Sequence, residues 1–487
     1  MKYRLNTIIA ILLALMTVVG TVACTTSDGP STQTTGTTGT STSTVESDDG
    51  RSHDNLPETD WNGADFLIWT YDNSNMMCPT LNEDALQSGD AVGEGMYKAA
   101  LEVEERFKVN LEEILIIDRD LETYATPARA GSYEYDVANA RCIYVVPLWS
   151  ENLLYTFDNI PYLDMDREYW NQSANESLSI NNVQYAAIGG YSVATYSLVH
   201  VLLFNKNLVS DLSLDNPYDL VKEENWTFDA MNAMMVKAIK DLDGNTIMDG
   251  EDRYGYLAHY KEVLPSFWLA ADTFSVSKDE EDMPFSNLAG ERFNTVFNKV
   301  FEMLYDTGAW YKGNGEEWNL DIPDFCIEMF GAGQSLFMDT TFHAMSRMRN
   351  ISNIEFGILP YPKWDVNQAE YRSRVEYYNS QVVPNGVENL DRTGMILEAL
   401  NCAYYNEFLP AYYEVALQRK YTFDDESAEM LDIVFNTLVI DIGDTTLCDK
   451  VRDGIFMSMF QKNNRNLASI AARCDTLINN ALQDFYE

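Results

Sequence analysis

Oxygen-bearing side chains alternate along residues 241–252, and their spacing suits one kind of chemistry. Six residues offer oxygens at loop positions one, three, five, seven, nine and twelve, position seven through its main-chain carbonyl: Asp241, Asp243, Asn245, Ile247, Asp249 and Asp252. This alternation wraps hard oxygen ligands around a Ca²⁺ ion. The sequence therefore predicts a calcium site formed by these six residues.

The loop resembles those of EF-hand and dockerin modules, with two differences. Position six is Thr246, where Gly normally makes the sharp turn, and position twelve is Asp252, which is shorter than the usual Glu. An acidic turn between a helix and a strand is the alternative interpretation. Because no second copy of the loop is found, we expect a structural ion and neither a sensor nor a dockerin.

Other chemistries have little support in the sequence. The seven cysteines form no CxxC pair and the chain has four histidines, so a zinc site is poorly supported. The sequence also lacks a GxSxG elbow, an HExxH pair and a phosphate-binding loop. The formal net charge of −43 repels phosphate backbones, which argues against nucleic acid as a partner.

The N-terminus has the pattern of a bacterial export signal. A basic start precedes an apolar run at 8–22, and small residues precede Cys24. This arrangement resembles a lipobox, in which Cys24 receives a diacylglyceryl group, although Thr21 stands where Leu is usual. We therefore expect 1–24 to be a signal peptide with a lipobox, and 25–59, rich in Ser and Thr, to be a disordered linker. Spacing leaves the pairing of the other six cysteines open.

Strands and helices alternate from Asp60 onward. Segments 64–71, 109–117 and 135–140 read as strands, and 93–107 has apolar residues at helical intervals. This order predicts an α/β fold with mainly parallel pairing. In such sheets, ligands collect at the carboxyl ends of the strands.

Several stretches from residue 203 onward occur in a recognisable order and spacing. They are LFNKNL at 203–208, ENWTFD at 224–229, and GQSLF at 333–337 followed by FGILPYP at 356–362. Together with the export signal, they resemble the family 1 extracellular solute-binding proteins, which are lipoproteins of bacterial carbohydrate ABC importers. The resemblance spans nearly the whole chain.

The resemblance implies a two-lobed, periplasmic-binding-protein-like α/β fold with a ligand cleft between the lobes. The expected N-terminal lobe comprises 60–190 and 338–385, and the C-terminal lobe 191–337 and 386–487. Such a protein captures a sugar or oligosaccharide by lobe closure and delivers it to ABC transporter permease subunits. The resemblance further implies a monomer without enzymatic activity, held at the outer face of the cell membrane by its lipid.

Aromatic side chains are the expected ligand contacts. The chain has 9 Trp, 29 Tyr and 22 Phe, and sugar rings present apolar C–H faces that pack on aromatic rings while their hydroxyls need polar partners. Most of these aromatics must be core residues. Position in the expected fold selects ten residues: Tyr71, Asp72, Asn73, Tyr144, Trp149, Tyr191, Trp268, Phe342, Tyr377 and Tyr378. Tyr71 and Trp268 are the favoured platforms, one from each lobe.

Two other functions are compatible with the sequence. A secreted glycoside hydrolase would use paired carboxylates as acid and base, and the chain has many carboxylates but no catalytic signature. A receptor that presents its ligand to a membrane sensor would share the fold of an importer component. The sequence does not separate that receptor from an importer component.

Overall fold

The computed structural model describes residues 50–71, 81, 83–88, 90–118, 120–313, 324–345, 354–414 and 425–482. The chain divides into two units after His53, and the strands and helices of the described residues lie in the second unit, Asp54–Glu487. The predicted signal peptide with Cys24, most of the predicted linker, and the predicted ligand contacts Asp72 and Asn73 lie outside the described residues.

Twelve strands occur in the described part of the chain. They are β1 (Ala64–Tyr71), β2 (Val109–Ile116), β3 (Val137–Arg141), β4 (His200–Asn205), β5 (Tyr254–Leu257), β6 (Val276–Lys278), β7 (Pro284–Ser286), β8 (Ser335–Thr341), β9 (Phe356–Leu359), β10 (Ser373–Arg374), β11 (Asn379–Val382) and β12 (Leu438–Val439).

The α-helices of the described part surround these strands. They are α1 (Ala85–Ser88), α2 (Ala91–Phe107), α3 (Glu122–Ala130), α4 (Val145–Ser150), α5 (Gln172–Leu178), α6 (Val193–Ser197), α7 (Lys206–Asp211), α8 (Pro217–Lys222), α9 (Phe228–Ala238), α10 (Tyr260–Ala270), α11 (Glu291–Phe301), α12 (Asp324–Gly331), α13 (Leu390–Glu414), α14 (Asp425–Asn436), α15 (Met457–Gln461) and α16 (Leu467–Leu482). None of these helices combines the length and the apolarity that a membrane span requires.

The first sheet has the strand order β11-β3-β1-β2. Strand β1 pairs in parallel with β2 and β3, and β11 runs antiparallel to β3. Alternate residues of β1, Phe66, Ile68 and Thr70, are buried, as the period of two in a strand requires. Helix α2 buries Met96 and Val103 on its inner face, and it packs against α13. The predicted α/β class and parallel pairing are confirmed for this sheet.

The second sheet has the order β5-β8-β4-β9. Strand β4 is antiparallel to both β8 and β9, and β5 is parallel to β8. Three chain segments that pass between the sheets bond to one another. Val199 bridges Val375, the Val375 N–H donates to the Val439 carbonyl at 3.2 Å, and β10 pairs with β12. We call these three segments, at Val199, 373–375 and 438–439, the crossing.

Strand pairing corrects the expected lobe boundaries. The expectation placed 338–385 in the N-terminal lobe, but β8 and β9 pair with β4 in the second sheet. The expectation placed 386–487 in the C-terminal lobe, but α13 packs on α2 beside the first sheet. The physical reason is that the chain rejoins the first sheet only at β11 and stays there through α13, before it returns to the second sheet at α14, which packs on β9.

The described end of the predicted linker 25–59 is attached to the body. The Arg106 guanidinium donates to both carboxylate oxygens of Asp54, at 2.6 and 2.9 Å, and Leu56 packs against the core. The disordered linker therefore cannot extend to residue 59. The five cysteines in the described part, Cys142, Cys326, Cys402, Cys448 and Cys474, are buried and form no disulfide.

Candidate ligand-binding site

Three of the predicted ligand contacts meet around Arg141 at the carboxyl edge of the first sheet. Strands β1 and β3 are parallel and end at Tyr71 and Arg141, so these two residues reach the same edge. The Arg141 Nε donates to the Tyr377 hydroxyl at 2.9 Å and Nη1 donates to the Tyr144 hydroxyl at 3.1 Å. The guanidinium carbon lies 5.1 Å from the centre of the Tyr71 ring. We call these four residues the Arg141 site.

At neutral pH, Arg141 keeps its positive charge, and the hydroxyls of Tyr144 and Tyr377 keep their protons. Burial lowers the pKa of Arg141, but contacts with Tyr377 and Tyr144 outweigh burial and raise that pKa above its ordinary value. Burial also raises the pKa of Tyr144 and, further, that of Tyr377. The site therefore presents a cation and two protonated phenols at neutral pH.

Two buried amide oxygens lie close to the site in the sheet. Asn139 stands two residues before Arg141 on β3, hence on the same face, and Asn379 of β11 pairs directly with Arg141. Neither Asn139 Oδ1 nor Asn379 Oδ1 has a hydrogen-bond partner among the described residues. Because buried acceptors are nearly always satisfied, each is suited to an ordered water or a ligand hydroxyl.

A buried ion network, the crossing cluster, lies where the segments pass between the sheets. Its members come from the second sheet, from helix α10, from the crossing and from the segment that follows β12: His200, Lys261, Glu262, Asp339, Arg374, Glu376, Asp444 and Arg452. Arg374 is at its centre, with Nε and Nη2 donating to the Asp444 carboxylate at 2.6 and 3.0 Å and Nη1 donating to Glu262 at 2.7 Å. At its edge, the Lys261 ammonium donates to Glu376 at 2.8 Å.

The charges within the crossing cluster stabilise one another. Burial lowers the pKa of His200, but the carboxylates of Asp339 and Glu376 outweigh burial and raise the pKa to about 9. Burial and Glu376 raise the pKa of Glu262, but Lys261 and Arg374 outweigh them and bring it to about 2. The imidazole is therefore cationic and the carboxylate anionic at neutral pH.

A metal does not suit this cluster, although His200, Glu262 and Glu376 are close enough together to share one. The Arg374 Nη1 lies 3.1 Å from His200 Nε2 and 2.7 Å from Glu262 Oε2, so it already occupies the position between these atoms. A metal would also need a neutral imidazole, whereas His200 is protonated. We interpret the cluster as a structural ion network.

The other predicted ligand aromatics do not join the Arg141 site. The half-buried Trp149 ring lies 4.5 Å from Tyr185. Tyr191 is fully buried and its hydroxyl donates to Glu113 at 3.2 Å. Trp149 therefore packs beside Tyr185 and Tyr191 reaches Glu113 of β2, whereas the described hydrogen bonds of Arg141 run to other tyrosines.

Trp268, Phe342 and Tyr378 are core residues, which corrects the expected role of Trp268 as a ligand platform. The Trp268 side chain is 2% exposed, and its Nε1–H donates to the buried Asp441 carboxylate at 3.0 Å. Phe342 packs in the first hydrophobic core, and the Tyr378 hydroxyl bonds to Thr446 at 2.8 Å. Apolar spacing along one segment cannot separate a platform from a ring enclosed by other segments.

Sequence reasoning missed Arg141, Lys261 and Glu376. A signal existed for Arg141, because it directly follows the apolar segment predicted as a strand, in a chain with 33 basic against 76 acidic residues. A cation at the carboxyl end of a strand of an α/β sheet is a candidate for ligand contact. No comparable signal marks Lys261 or Glu376, whose pairing joins residues 115 positions apart.

The predicted calcium loop gathers three of its six expected ligands. Carboxylate oxygens of Asp241, Asp243 and Asp252 lie within 4.8 Å of one another. Asp252 is fully buried and accepts the N–H of Asp249 at 2.9 Å. Thr246 has a φ of 69°, the left-handed conformation that Gly normally supplies at position six, so this difference from an EF-hand does not prevent the turn.

Of the other three expected ligands, Asn245 and Asp249 accept hydrogen bonds from the loop's own backbone, and Ile247 is exposed. Asn245 Oδ1 accepts the N–H of Ile247 at 2.6 Å, and Asp249 Oδ1 accepts that of Glu251 at 2.9 Å. The Ile247 side chain is 64% exposed. The donor set of hard oxygens fits Ca²⁺ in its chemistry and in half of its geometry.

A groove of about 600 Å³ lies elsewhere, on the solvent face of α2. Its lining is Lys98, Leu101, Glu102, Glu105, Arg106 and Lys108. Because this lining alternates acid and base and contains no aromatic ring, it does not suit a sugar, and we place the candidate site at the carboxyl edge of the first sheet instead.

Comparison with known proteins supports the fold. No protein-family profile matches the chain, and no curated protein matches its sequence. Solved structures do match: the sugar-binding protein MalE from Xanthomonas citri has a TM-score of 0.58 at 12% identity, covering 86% of this chain and 98% of that chain. A family 1 extracellular solute-binding protein from Bifidobacterium longum subsp. infantis has a TM-score of 0.55 at 13% identity, covering 85% and 98%.

A third similar structure contains a bound sugar. It is an ABC substrate-binding protein from Listeria monocytogenes in complex with cycloalternan, with a TM-score of 0.53 at 12% identity, covering 86% of this chain and 99% of that chain. Likeness at such identities establishes the fold. The expected α/β, two-lobed, periplasmic-binding-protein-like class is therefore confirmed.

Proposed function

Because the chain has the fold of the family 1 solute-binding proteins, we propose that it is the extracytoplasmic substrate-binding component of an ABC transporter and captures a sugar or oligosaccharide. The observation that carries this proposal is the Arg141 site, where three tyrosines and a guanidinium meet at the edge of the sheet that α/β proteins use for ligands. Tyr71 and Tyr144 are buried, whereas Tyr377 and Arg141 are partly exposed. The Tyr377 ring offers a face to sugar C–H groups, and the guanidinium and the phenols offer hydrogen-bond donors.

Capture by closure of the two lobes requires a hinge, and the crossing is suited to that role. Three short segments there bond to one another, and the segment of β10 leads directly into Tyr377 of the Arg141 site. Glu376 and Tyr377 follow β10, so Tyr377 joins the Arg141 site while Glu376 pairs with Lys261 of α10 beside the second sheet. A ligand that contacts both lobes stabilises the closed state.

We propose a binder without catalytic activity. Structures similar to this chain are described as binding proteins. A glycoside hydrolase needs a carboxylic acid that is protonated near neutral pH. In the crossing cluster the pKa of Glu262 falls to about 2, and that of Glu376 is held well below its ordinary value by Lys261 against the effect of burial. Neither of these carboxyls is a suitable general acid.

The remaining parts of the proposal concern location and partners. Lipidation of Cys24 after signal cleavage would hold the protein at the outer face of the cell membrane, with the Ser/Thr-rich segment as a tether. Delivery of the captured sugar would require ABC permease subunits in that membrane. The protein would act as a monomer.

A thermal-shift screen tests the proposed function. The unlipidated chain from residue 50 onward would be screened against neutral and acidic oligosaccharides and against short peptides. A ligand that binds only the folded state raises stability by about 2.7 kcal/mol at a concentration of 100 Kd, which raises the melting temperature. We expect at least one oligosaccharide to do so and to be recovered intact. Shifts with peptides alone, or cleavage of the sugar, would refute the proposal.

We also propose that the loop 241–252 binds a structural Ca²⁺ ion through its converging carboxylates. Addition of Ca²⁺ after treatment with EDTA is expected to raise the melting temperature of the wild type by several degrees, because the ion binds the folded loop. The double variant Asp241→Asn, Asp243→Asn should lose this response. Glu251→Gln is the matched control, since position eleven is not a predicted ligand. A wild type that does not respond to Ca²⁺ would disprove the site.

A further inference from the structure

The Arg141 guanidinium has no carboxylate partner among the described residues. Its hydrogen bonds run to the hydroxyls of Tyr377 and Tyr144, and no acid is among the main influences on its pKa. Other buried arginines are neutralised: Arg374 pairs with Asp444, and Arg392 with Asp136. In a chain with a net charge of −43, a half-buried cation that has no acid beside it among the described residues is a feature that needs a cause.

The directions of the hydrogen bonds show that the Arg141 site lacks an acceptor among the described residues. Arginine only donates, so the oxygens of Tyr144 and Tyr377 accept from Arg141, and each phenol keeps its own proton to donate elsewhere. Burial raises the pKa of both phenols, so these protons are present at neutral pH. The group therefore offers two O–H donors and the remaining N–H donors of Arg141, without an acceptor for them among the described residues. A cluster of donors around a positive charge is complementary to an anion.

The tyrosine rings strengthen the preference of the Arg141 site for an anion. Ring centres of Tyr71, Tyr144 and Tyr377 lie 5.1, 5.2 and 6.0 Å from the guanidinium carbon. They exclude water from the faces of the cation, and an ion pair formed where water is excluded is stronger than one in bulk water. The site also lies at the sheet edge to which Tyr71 and Arg141 point, where the ligand of an α/β protein is expected.

We propose that the captured sugar carries a carboxylate, as in a uronic acid residue, and that Arg141 binds this carboxylate with the help of the Tyr144 and Tyr377 hydroxyls. The inference rests on the proposed sugar-binding function and narrows its substrate class. A planar carboxylate matches the fork of a guanidinium. The overall charge of −43 disfavours ligands with many sulfates, because it repels a polyanion over the Debye length of about 8 Å. An oligosaccharide with few carboxylates is favoured over a polysulfated one.

Isothermal titration calorimetry with matched ligands tests this inference. The probes are trigalacturonate, its methyl ester, which removes the carboxylate charges and adds one methyl group to each, and a sulfated oligosaccharide of similar size. The wild type is expected to bind trigalacturonate about 10- to 100-fold more tightly than the ester, the range for hydrogen bonds to a charged group. This preference should weaken as salt is raised.

Variants assign the preference to Arg141. Arg141→Gln should reduce the preference for trigalacturonate over its ester to about threefold or less, by weakening the binding of trigalacturonate alone. Tyr377→Phe retains the ring and should reduce this preference partly. Arg372→Gln, which removes an exposed arginine paired with Asp272, is the matched control and should leave the preference unchanged. If Arg141→Gln fails to fold, the wild-type comparison and Tyr377→Phe still decide.

Each outcome has a distinct meaning. Equal binding of the acid and its ester, tighter binding of the sulfated sugar, or an equal loss of both ligands in Arg141→Gln would overturn the carboxylate inference and leave the sugar-binding function in place. Absence of binding to any sugar, neutral or acidic, would instead contradict the proposed function.

Discussion

Replacing Arg374 by Met is expected to destabilise the protein by about 3–5 kcal/mol, the cost of leaving buried charges without their partner. The Arg374 side chain is 1% exposed, it donates to Asp444 and to Glu262, and its Nη1 lies 3.1 Å from His200 Nε2. Methionine has a similar length but no charge, so two buried carboxylates would lose their central cation. A loss of this size is a large part of the 5–15 kcal/mol that typically stabilises a protein of ordinary size.

Urea unfolding of the full folded body measures this effect through the midpoint of the transition at constant slope. The control is Arg372→Met, two residues earlier, where Arg372 pairs with Asp272 and both side chains are partly exposed. Such a pair contributes about 0–1 kcal/mol. Arg374→Lys should be intermediate, because it retains the charge but loses the paired hydrogen bonds to Asp444. Equal midpoints for Arg374→Met and Arg372→Met would show that the crossing cluster does not stabilise the fold.

Replacing Trp268 by Ala is expected to cost about 3–5 kcal/mol, the range for removal of a large buried aromatic side chain. The indole packs against Phe293 and Phe456, with ring centres 5.4 and 5.2 Å away. It also provides one of the hydrogen bonds to buried Asp441, whose pKa burial raises to about 6. The variant therefore opens a cavity and leaves Asp441 less well satisfied.

Trp268→Phe separates these two contributions. It fills most of the space and removes only the N–H donor, while Asp441 still accepts the N–H of Ser275 at 2.7 Å and that of Gly443 at 2.9 Å. We expect a loss of about 1–2 kcal/mol by urea unfolding. Phe285→Ala is the control for an exposed ring, since Phe285 is 41% exposed. If Trp268→Phe instead weakened sugar binding at unchanged stability, Trp268 would be a ligand platform and its assignment to the core would be wrong.

The contacts of Trp268 and Arg374 with the segment after β12 explain how the crossing holds its shape. Asp441 and Asp444 both lie in the segment that follows β12, and they bind Trp268 of α10 and Arg374 of β10, respectively. The segment is thereby attached at two points to elements on the second-sheet side of the crossing. A hinge that closes over a ligand needs fixed ends on either side of its bending residues, and we expect these contacts to provide one of them.

Local pattern in the sequence predicted the elements of the first sheet well. Strand β1 occupies the predicted 64–71, and β2, β3 and α2 lie within two residues of their predicted bounds at nearly every end. The reason is that burial on one face imposes a period of two on a strand and of 3.6 on a helix, which the sequence records directly. The carboxyl edge of that sheet, and with it Tyr71 and Tyr144, followed from the same elements.

The calcium loop and the lobe boundaries show the limits of this approach. Loop spacing brought Asp241, Asp243 and Asp252 together as expected, because the ligands lie on one short segment. The lobe boundaries failed where the chain crosses between sheets, because a strand's own sequence does not record which sheet it joins. Strand β8 is buried at every residue, and only its pairing with β4 assigns it to the second sheet.

The sequence by itself determined the fold class, the strands and helices of the first sheet, and the aromatic character of the ligand edge. Only the tertiary structure decided which side chains meet there. Arg141 and Tyr377 are 236 residues apart, and His200 and Asp339 are 139 apart. Periodicity reports the burial of one element, whereas contacts over such separations depend on sheet register and on the path of the crossing. For the same reason Trp268 looked like a ligand platform in its own segment, and proved to be a core residue once Phe293, Phe456 and Asp441 surrounded it.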